Sequence, residues 1–125
     1  MLGGKDAVAT LAVGDLDEAR DFYESTLGLT TLQEAPGGNL YTSGNSVVLV
    51  YPSEYAGTNQ ATAASWVVGD DFDAIVGELR SKGVAFEHYD DLPDTTRDGD
   101  VHVAGDFKAV WFKDPTGNIL NLTNM

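Results

Sequence analysis

The sequence contains no cysteine, only 7 basic residues and no long apolar run. The lack of cysteine excludes disulfide frameworks, thiolate zinc sites and thiol nucleophiles. Because 20 acidic residues leave a formal charge of −13, the chain lacks the cationic surface that nucleic acids and anionic membranes attract. No segment approaches the roughly 18 apolar residues of a membrane span, and no signal-peptide pattern opens the chain. We therefore expect an acidic, soluble, cytoplasmic protein.

The order of predicted strands and helices occurs twice along the chain. Hydrophobic residues make up 42% of the 125 positions, which is enough for one core and leaves no room for a second independent domain. A buried-strand pattern at 7–13 is followed by helical spacing from Leu16 to Leu27, with Asp15 as the cap and Gly28 as the end. The pair Gly14-Asp15 returns as Gly69-Asp70, 55 residues later, before a second helical pattern.

Short extended segments complete each half of the repeat. They are expected at 29–34, 40–43 and 46–51 in the first half, and at 63–68, 84–88, 109–113 and 119–123 in the second. Gly44-Asn45 is typical of a tight hairpin turn, and 89–100 is expected to be a long polar loop. We predict one α+β domain over 1–125, built from two βαβββ modules at about 6–52 and 63–125 with a connector at 53–62.

Four short motifs carry a family resemblance. They are Val13-Gly14-Asp15-Leu16, Phe22-Tyr23, Leu27-Gly28-Leu29 and the closing stretch Phe112-Lys113-Asp114-Pro115-Thr116-Gly117-Asn118. Together with the repeat, they resemble the vicinal oxygen chelate (VOC) superfamily, which includes glyoxalase I, methylmalonyl-CoA epimerase, extradiol dioxygenases, fosfomycin-resistance transferases and bleomycin-resistance binding proteins. The resemblance implies the glyoxalase/bleomycin-resistance fold, in which two modules form a cupped mixed β-sheet with the helices outside.

The same resemblance implies where a metal would bind. Metal-dependent members hold a cation with up to four His or Glu ligands on the first and last strands of each module. The matching positions here are Val8, Leu49, Ala63 and Asn121, which supply no imidazole and no carboxylate. A shift of register by one residue does not restore a ligand set. We therefore expect no metal and no other cofactor.

Aromatic residues are the remaining candidates for a ligand site. Val110 and Phe112 match the face that packs on a helix, so strand alternation directs Trp111 toward the cup or the solvent, and Trp111 is the first candidate for a ligand platform. Trp66 has the opposite parity and is expected in the core. The alternative for Trp111 is that it fills a closed core or a dimer contact. The residues predicted to bind a ligand are Trp111, Tyr51, Leu49, Val8, Asn121, His102, Tyr41 and Phe107.

Two classes of function follow from this pattern. The first is a small-molecule binding protein of the bleomycin-resistance type, which sequesters a hydrophobic or cationic aromatic antibiotic or metabolite without a metal; the resemblance implies a homodimer. The alternative is a metal-independent or divergent VOC enzyme, a lyase, isomerase or transferase acting on a small metabolite. A purely structural or interaction module is a third reading. No nucleophile motif, phosphate-binding loop or carboxylate pair identifies catalytic residues.

Overall fold

The computed structural model describes all residues from 1 to 125 as an α+β fold with two mixed sheets. No helix has both the length and the apolar character needed to cross a bilayer. The two helices are α1 (Leu16–Arg20), which continues as a π-helical segment at Asp21–Thr26, and α2 (Phe72–Ser81), which follows a 3-10 turn at Gly69–Asp71. The strands are β1 (Ala9–Val13), β2 (Thr30–Ala35), β3 (Gly38–Ser43), β4 (Ser46–Pro52), β5 (Thr62–Val67), β6 (Thr96–Asp98), β7 (Val101–Ala104), β8 (Phe107–Lys113) and β9 (Ile119–Thr123).

The first helix starts and ends where the sequence predicts. The Asp15 side chain accepts hydrogen bonds from the backbone N–H groups of Asp17 and Glu18, which caps the first turn. The helix then widens, because the Leu27 N–H donates to the carbonyl of Phe22, five residues earlier, at 2.9 Å. Gly28, with a φ of 75°, ends the segment. The predicted single helix is therefore an α-helix that finishes as a π-helix.

The two sheets share one connection pattern. In the first sheet the strand order is β1-β4-β3-β2, and β1 runs parallel to β4. In the second the order is β5-β9-β8-β7-β6, and β5 runs parallel to β9. The predicted turn at Gly44-Asn45 does connect β3 and β4, with a φ of 57° at Gly44. Each helix thus joins the outer strand of its own sheet to the strands that follow it in sequence.

Two predictions about the second sheet are wrong. The stretch 84–88 forms a single bridge between Phe86 and Phe112 instead of a strand, and the expected polar loop contains the short strand β6. The reason lies at the edge of β8. There β7 pairs with Phe107, Lys108 and Ala109, which leaves the Trp111 carbonyl to accept one hydrogen bond, at 2.8 Å, from the N–H of Glu87.

The free edges of β1 and β5 meet, and the two sheets lie side by side. The Asn118 side-chain amide donates to the Ala12 carbonyl at 2.7 Å, which ties the turn between β8 and β9 to β1. In the same turn, the buried Asp114 carboxylate accepts the Tyr23 hydroxyl at 2.6 Å, which ties the turn to the first helix. The sheets therefore share one core on the helix side, and their other faces form a common concave surface.

Strand register decides which side chains join that core. Residues that pair across a sheet share a face, so Leu11 with Val50, and Val110 with Leu122, all point to the helices and are buried. Trp66 pairs with Leu122 and packs against the same core, which confirms the parity predicted for it. The core side chains come from both sheets and both helices.

Candidate functional site

The concave surface is the face that the helices do not cover. In the first sheet Thr10 pairs with Leu49, and in the second Ser65 and Trp111 both pair with Asn121. All five side chains have the parity opposite to the core. Thr10 and Ser65 are exposed, while Leu49 and Trp111 are partly exposed. This face is therefore open to solvent near the junction of the sheets.

Three aromatic rings form an aromatic platform on the concave face, composed of Tyr89, His102 and Trp111. The Trp111 ring lies 5.4 Å from the Tyr89 ring at 84° and 4.9 Å from the His102 ring at 88°, measured between ring centres. Its indole Nε1–H donates to the Thr62 hydroxyl at 3.1 Å. Edge-to-face pairs of this kind contribute roughly 0.5–1.5 kcal/mol each beyond burial. The Trp111 indole is therefore held in one orientation before any ligand arrives.

His102 is the buried member of the aromatic platform. The residue is only 2% exposed. Its Nε2 accepts the backbone N–H of Tyr89 at 2.9 Å, so in the neutral ring the proton is on Nδ1. Burial lowers the pKa of His102 below its ordinary value of 6.5. His102, which the sequence predicts as a ligand-binding residue, is not available to a ligand, because its side chain is buried and its Nε2 already accepts the Tyr89 amide.

Tyr89 is the residue that sequence reasoning missed. It opens the stretch that was expected to be a polar loop, where no strand or helix periodicity assigns a face. An ion pair between Arg97 Nε and Asp90 at 2.8 Å holds this stretch, together with a hydrogen bond between His88 Nε2 and Asp100 at 2.8 Å. The hydrogen bond from Arg97 lowers the pKa of Asp90. The only hint in the sequence is an aromatic residue followed by two aspartates in an otherwise polar segment.

The positions that correspond to the family's metal ligands do not fit a metal. Val8, 46% exposed, and Leu49 carry no donor atom, and neither does Ala63. Asn121 is buried, and its amide nitrogen donates to the Val110 carbonyl at 3.1 Å. Nowhere in the chain do three or more His, Cys, Asp or Glu side chains form a group that could hold a metal ion. These four positions therefore do not supply the set of donor atoms that a divalent cation needs.

The other predicted site residues separate into two groups. Tyr51 is partly exposed and pairs with Ala12 on the concave face, and Phe107 lies on the same face near the start of β8, 36% exposed. The prediction that Tyr41 binds a ligand is wrong. Tyr41 pairs with Val48 on the core face, is fully buried, and donates its hydroxyl to Glu24 at 3.2 Å. Burial raises the pKa of Tyr41. Trp111 and Asn121 are thus neighbours on the second sheet, and Leu49 and Tyr51 lie on the concave face of the first. Tyr41 lies in the core and not at the predicted site.

Solved structures with the same fold span nearly the whole chain. A lactoylglutathione lyase from Agrobacterium tumefaciens has a TM-score of 0.71 at 18% identity, covering 98% of this chain and 95% of that one. The fosfomycin resistance protein FosX from Mesorhizobium loti has a TM-score of 0.70 at 15% identity, covering 100% and 94%. An integron cassette protein from the mobile metagenome of the Halifax Harbour sewage outfall has a TM-score of 0.70 at 20% identity, covering 94% and 96%. At these identities the likeness concerns the fold alone.

Sequence comparison adds the family. No curated protein sequence is significantly similar to this one. The sequence model of the Glyoxalase/Bleomycin resistance protein/Dioxygenase superfamily, in contrast, matches residues 6–122, from before β1 to within β9. The match covers the first module of the predicted repeat and most of the second. On this evidence the chain belongs to the Glyoxalase/Bleomycin resistance protein/Dioxygenase superfamily.

Proposed function

We propose that this protein binds a small planar ligand, hydrophobic or cationic, on the concave face, and that it holds the ligand without a metal and without converting it. One observation carries the proposal: the Trp111 indole is partly exposed on that face and is fixed by Tyr89, His102 and Thr62. A ring that is held before binding loses little conformational freedom when a ligand stacks on it. The aromatic platform therefore suits recognition of a flat surface.

Charge narrows the class of ligand. The chain has a formal charge of −13, and such a field raises the local concentration of cations around it. The face of an indole also attracts cations, by about 0.5–1 kcal/mol at exposed sites. A planar aromatic cation would be attracted both by the negative charge of the protein and by the face of the indole. An aromatic anion would be repelled by the negative charge. We therefore rank cationic aromatic ligands first and neutral ones second.

The same face supports binding better than catalysis. General acid-base chemistry needs a titratable group within hydrogen-bonding reach of the reacting atom. The imidazole of His102 is buried and its Nε2 is already occupied, while the Asn121 amide nitrogen is bonded to backbone. Neither of these two side chains is therefore free to act as an acid or a base. The protein would act stoichiometrically, by removing its ligand from solution.

The names of relatives suggest which ligands to test first. The family description includes a bleomycin resistance protein, and one solved relative is a fosfomycin resistance protein. We accordingly propose an antibiotic or a related aromatic metabolite as the ligand, bound in the cytoplasm by a homodimer. Light scattering coupled to size-exclusion chromatography tests the dimer separately, since a monomer at all concentrations contradicts that part alone.

Calorimetric titration with a matched pair of probes tests the binding proposal. The planar cation 9-aminoacridine and the anion acridine-9-carboxylate share one ring system and differ in charge. We expect micromolar binding of the cation and much weaker binding of the anion. Trp111→Ala should weaken binding of the cation about tenfold or more, equivalent to roughly 1.4 kcal/mol. Trp66→Phe is the matched control, because it changes the other tryptophan on the opposite face.

Three outcomes would contradict the proposal. The first is the absence of micromolar binding for any aromatic cation in a thermal-shift screen that includes polycyclic antibiotics. The second is unchanged affinity in Trp111→Ala. The third is loss of binding after treatment with EDTA, which would show that a metal holds the ligand.

A further inference from the structure

An apolar cavity opens on the helix side of the sheets, away from the concave face. Its volume is about 150 Å³, and eight of its nine lining residues are hydrophobic. Leu79 of α2 and Phe112 of β8 are buried members of the core and form part of its wall. Leu27, Trp66 and Ile75 are only partly buried. The cavity therefore lies between the modules, with solvent access past these three side chains.

The lining of the cavity excludes charged ligands. It contains no acidic or basic side chain, and its one polar residue is Ser43. The Ser43 hydroxyl oxygen accepts the indole Nε1–H of Trp66 at 2.8 Å, so the polar atoms at this end are already paired with each other. A charged group placed here would lose its hydration without gaining a partner. The ligand must therefore be neutral over the part that enters.

Size and hydration define the ligand further. An apolar protein cavity of about 150 Å³ accommodates a molecule the size of benzene. Water in such a cavity finds few hydrogen-bonding partners, and its displacement by an apolar group is favourable. We propose that this cavity is a second ligand site, which takes one neutral aromatic ring. The site does not depend on the aromatic platform, because Trp66 and Trp111 point to opposite faces of the second sheet.

The two tryptophans allow a direct test by NMR. The indole N–H signals of Trp66 and Trp111 are assigned with Trp111→Phe, and the wild-type protein is then titrated with benzene. We expect a saturable shift of the Trp66 signal, with a dissociation constant on the order of 1 mM for a ligand of this size. The Trp111 indole belongs to the separate aromatic platform, so any shift of its signal should follow its own binding curve. Benzoate and benzylammonium, which carry the same ring with a charge, should leave the Trp66 signal unchanged.

Variants at the mouth of the cavity identify the site. Ile75→Phe fills the cavity and should weaken benzene binding by at least about tenfold, whereas Ile75→Leu conserves volume and should retain it. Val68→Phe, at another residue that lines the cavity, serves if Ile75→Phe does not fold. Trp111→Ala should shift the Trp66 signal with benzene as the wild type does, even though it binds the acridine cation more weakly. A failure of one proposal is thus separate from a failure of the other.

Several results would overturn this second site. A Trp66 shift that rises linearly with benzene would indicate no defined site, and equal binding by Ile75→Phe would locate the site elsewhere. Equal shifts of both tryptophan signals that do not saturate would indicate non-specific solvation. Broadening of the Trp66 signal with protein concentration, without benzene, would show that a second copy of the chain covers the cavity.

Discussion

The backbone N–H of Tyr89 donates to Nε2 of His102 over 2.9 Å, and this bond attaches the stretch after the second helix to the face of the second sheet. An imidazole nitrogen accepts a hydrogen bond only when it carries no proton, so the bond requires neutral His102. Both residues also contact the Trp111 ring edge-to-face. The orientation of the main candidate for ligand stacking therefore depends on the protonation state of a buried histidine.

Stability should fall as pH drops below neutrality. Burial lowers the pKa of His102 in the folded state below 6.5, so the folded protein prefers the neutral form more than the unfolded chain does. This preference contributes fully above pH 6.5 and is lost as pH falls through the lowered pKa. Urea unfolding should show the free energy of unfolding decreasing as pH falls below about 6.5. His102→Gln should flatten it, and an unchanged decline in that variant would assign it to another group.

Asp114 should be among the most sensitive positions of the chain. Its buried carboxylate accepts the backbone N–H groups of Thr116, Gly117 and Asn118 at 2.8–3.0 Å, together with the Tyr23 hydroxyl. Burial and this carboxylate raise the pKa of Tyr23, which therefore remains a hydrogen-bond donor. Asp114→Asn should lower the free energy of unfolding by roughly 3 kcal/mol, because charge-assisted bonds are lost in a buried site.

A matched variant separates the contribution of the tyrosine bond. Tyr23→Phe removes one donor and leaves the turn intact, so it should cost less than Asp114→Asn, about 1.5–3 kcal/mol. Urea denaturation of both variants gives the comparison. Equal stability of Asp114→Asn and the wild type would mean that the turn forms without the carboxylate.

Two adjacent glycines should respond very differently to alanine. Gly38 has a φ of 150°, and a Cβ there would lie 3.0 Å from the Val50 carbonyl oxygen and 3.2 Å from the Tyr51 Cβ. Gly37 has no neighbour within 4 Å of such a Cβ. Gly38→Ala should cost roughly 1–3 kcal/mol, whereas Gly37→Ala should be near neutral. Thermal unfolding of the pair measures the difference, and a similar melting temperature for both would contradict the backbone assignment at Gly38.

Removing the Arg97–Asp90 pair should affect local motion more than global stability. The guanidinium contacts the Asp90 carboxylate at 2.8 Å and the Gly99 carbonyl at 2.7 Å, but both side chains are partly in water. Arg97→Gln should therefore change the free energy of unfolding by less than about 1 kcal/mol. Hydrogen exchange at the Tyr89 amide should accelerate several-fold, since the stretch around it opens more often. Unchanged exchange would show that His102 alone holds Tyr89.

Local patterns in the sequence predicted much of the fold. The cap at Asp15 and the stop at Gly28 set the limits of the first helix, and the turn at Gly44-Asn45 set the first hairpin. Alternation along β8 assigned Val110 to the core and Trp111 to the concave face. Such features depend on neighbours in sequence, so they can be recognised without knowing what packs against them.

Other features depended on pairing between distant segments. Alternation along β3 places Tyr41 on one of two faces but does not say which of them the helices cover, and its partner Val48 decides that question. The edge of β8 could pair with 84–88 or with β7, and the pattern of either segment suits a strand. The choice depends on which pairing leaves fewer backbone groups without a partner, which is a property of the whole sheet.

The sequence by itself determined the repeated order of strands and helix, the acidic charge and the absence of metal-ligand chemistry at the four family positions, because these are properties of residue identity and short spacing. Only the tertiary structure decided that the Tyr89 backbone bonds to His102, that the Trp111 ring contacts both of their rings, and that an apolar cavity lies beside Trp66. Each of these features joins segments that are far apart in the sequence. Whether such segments come into contact depends on the packing of both sheets, which no local pattern predicts.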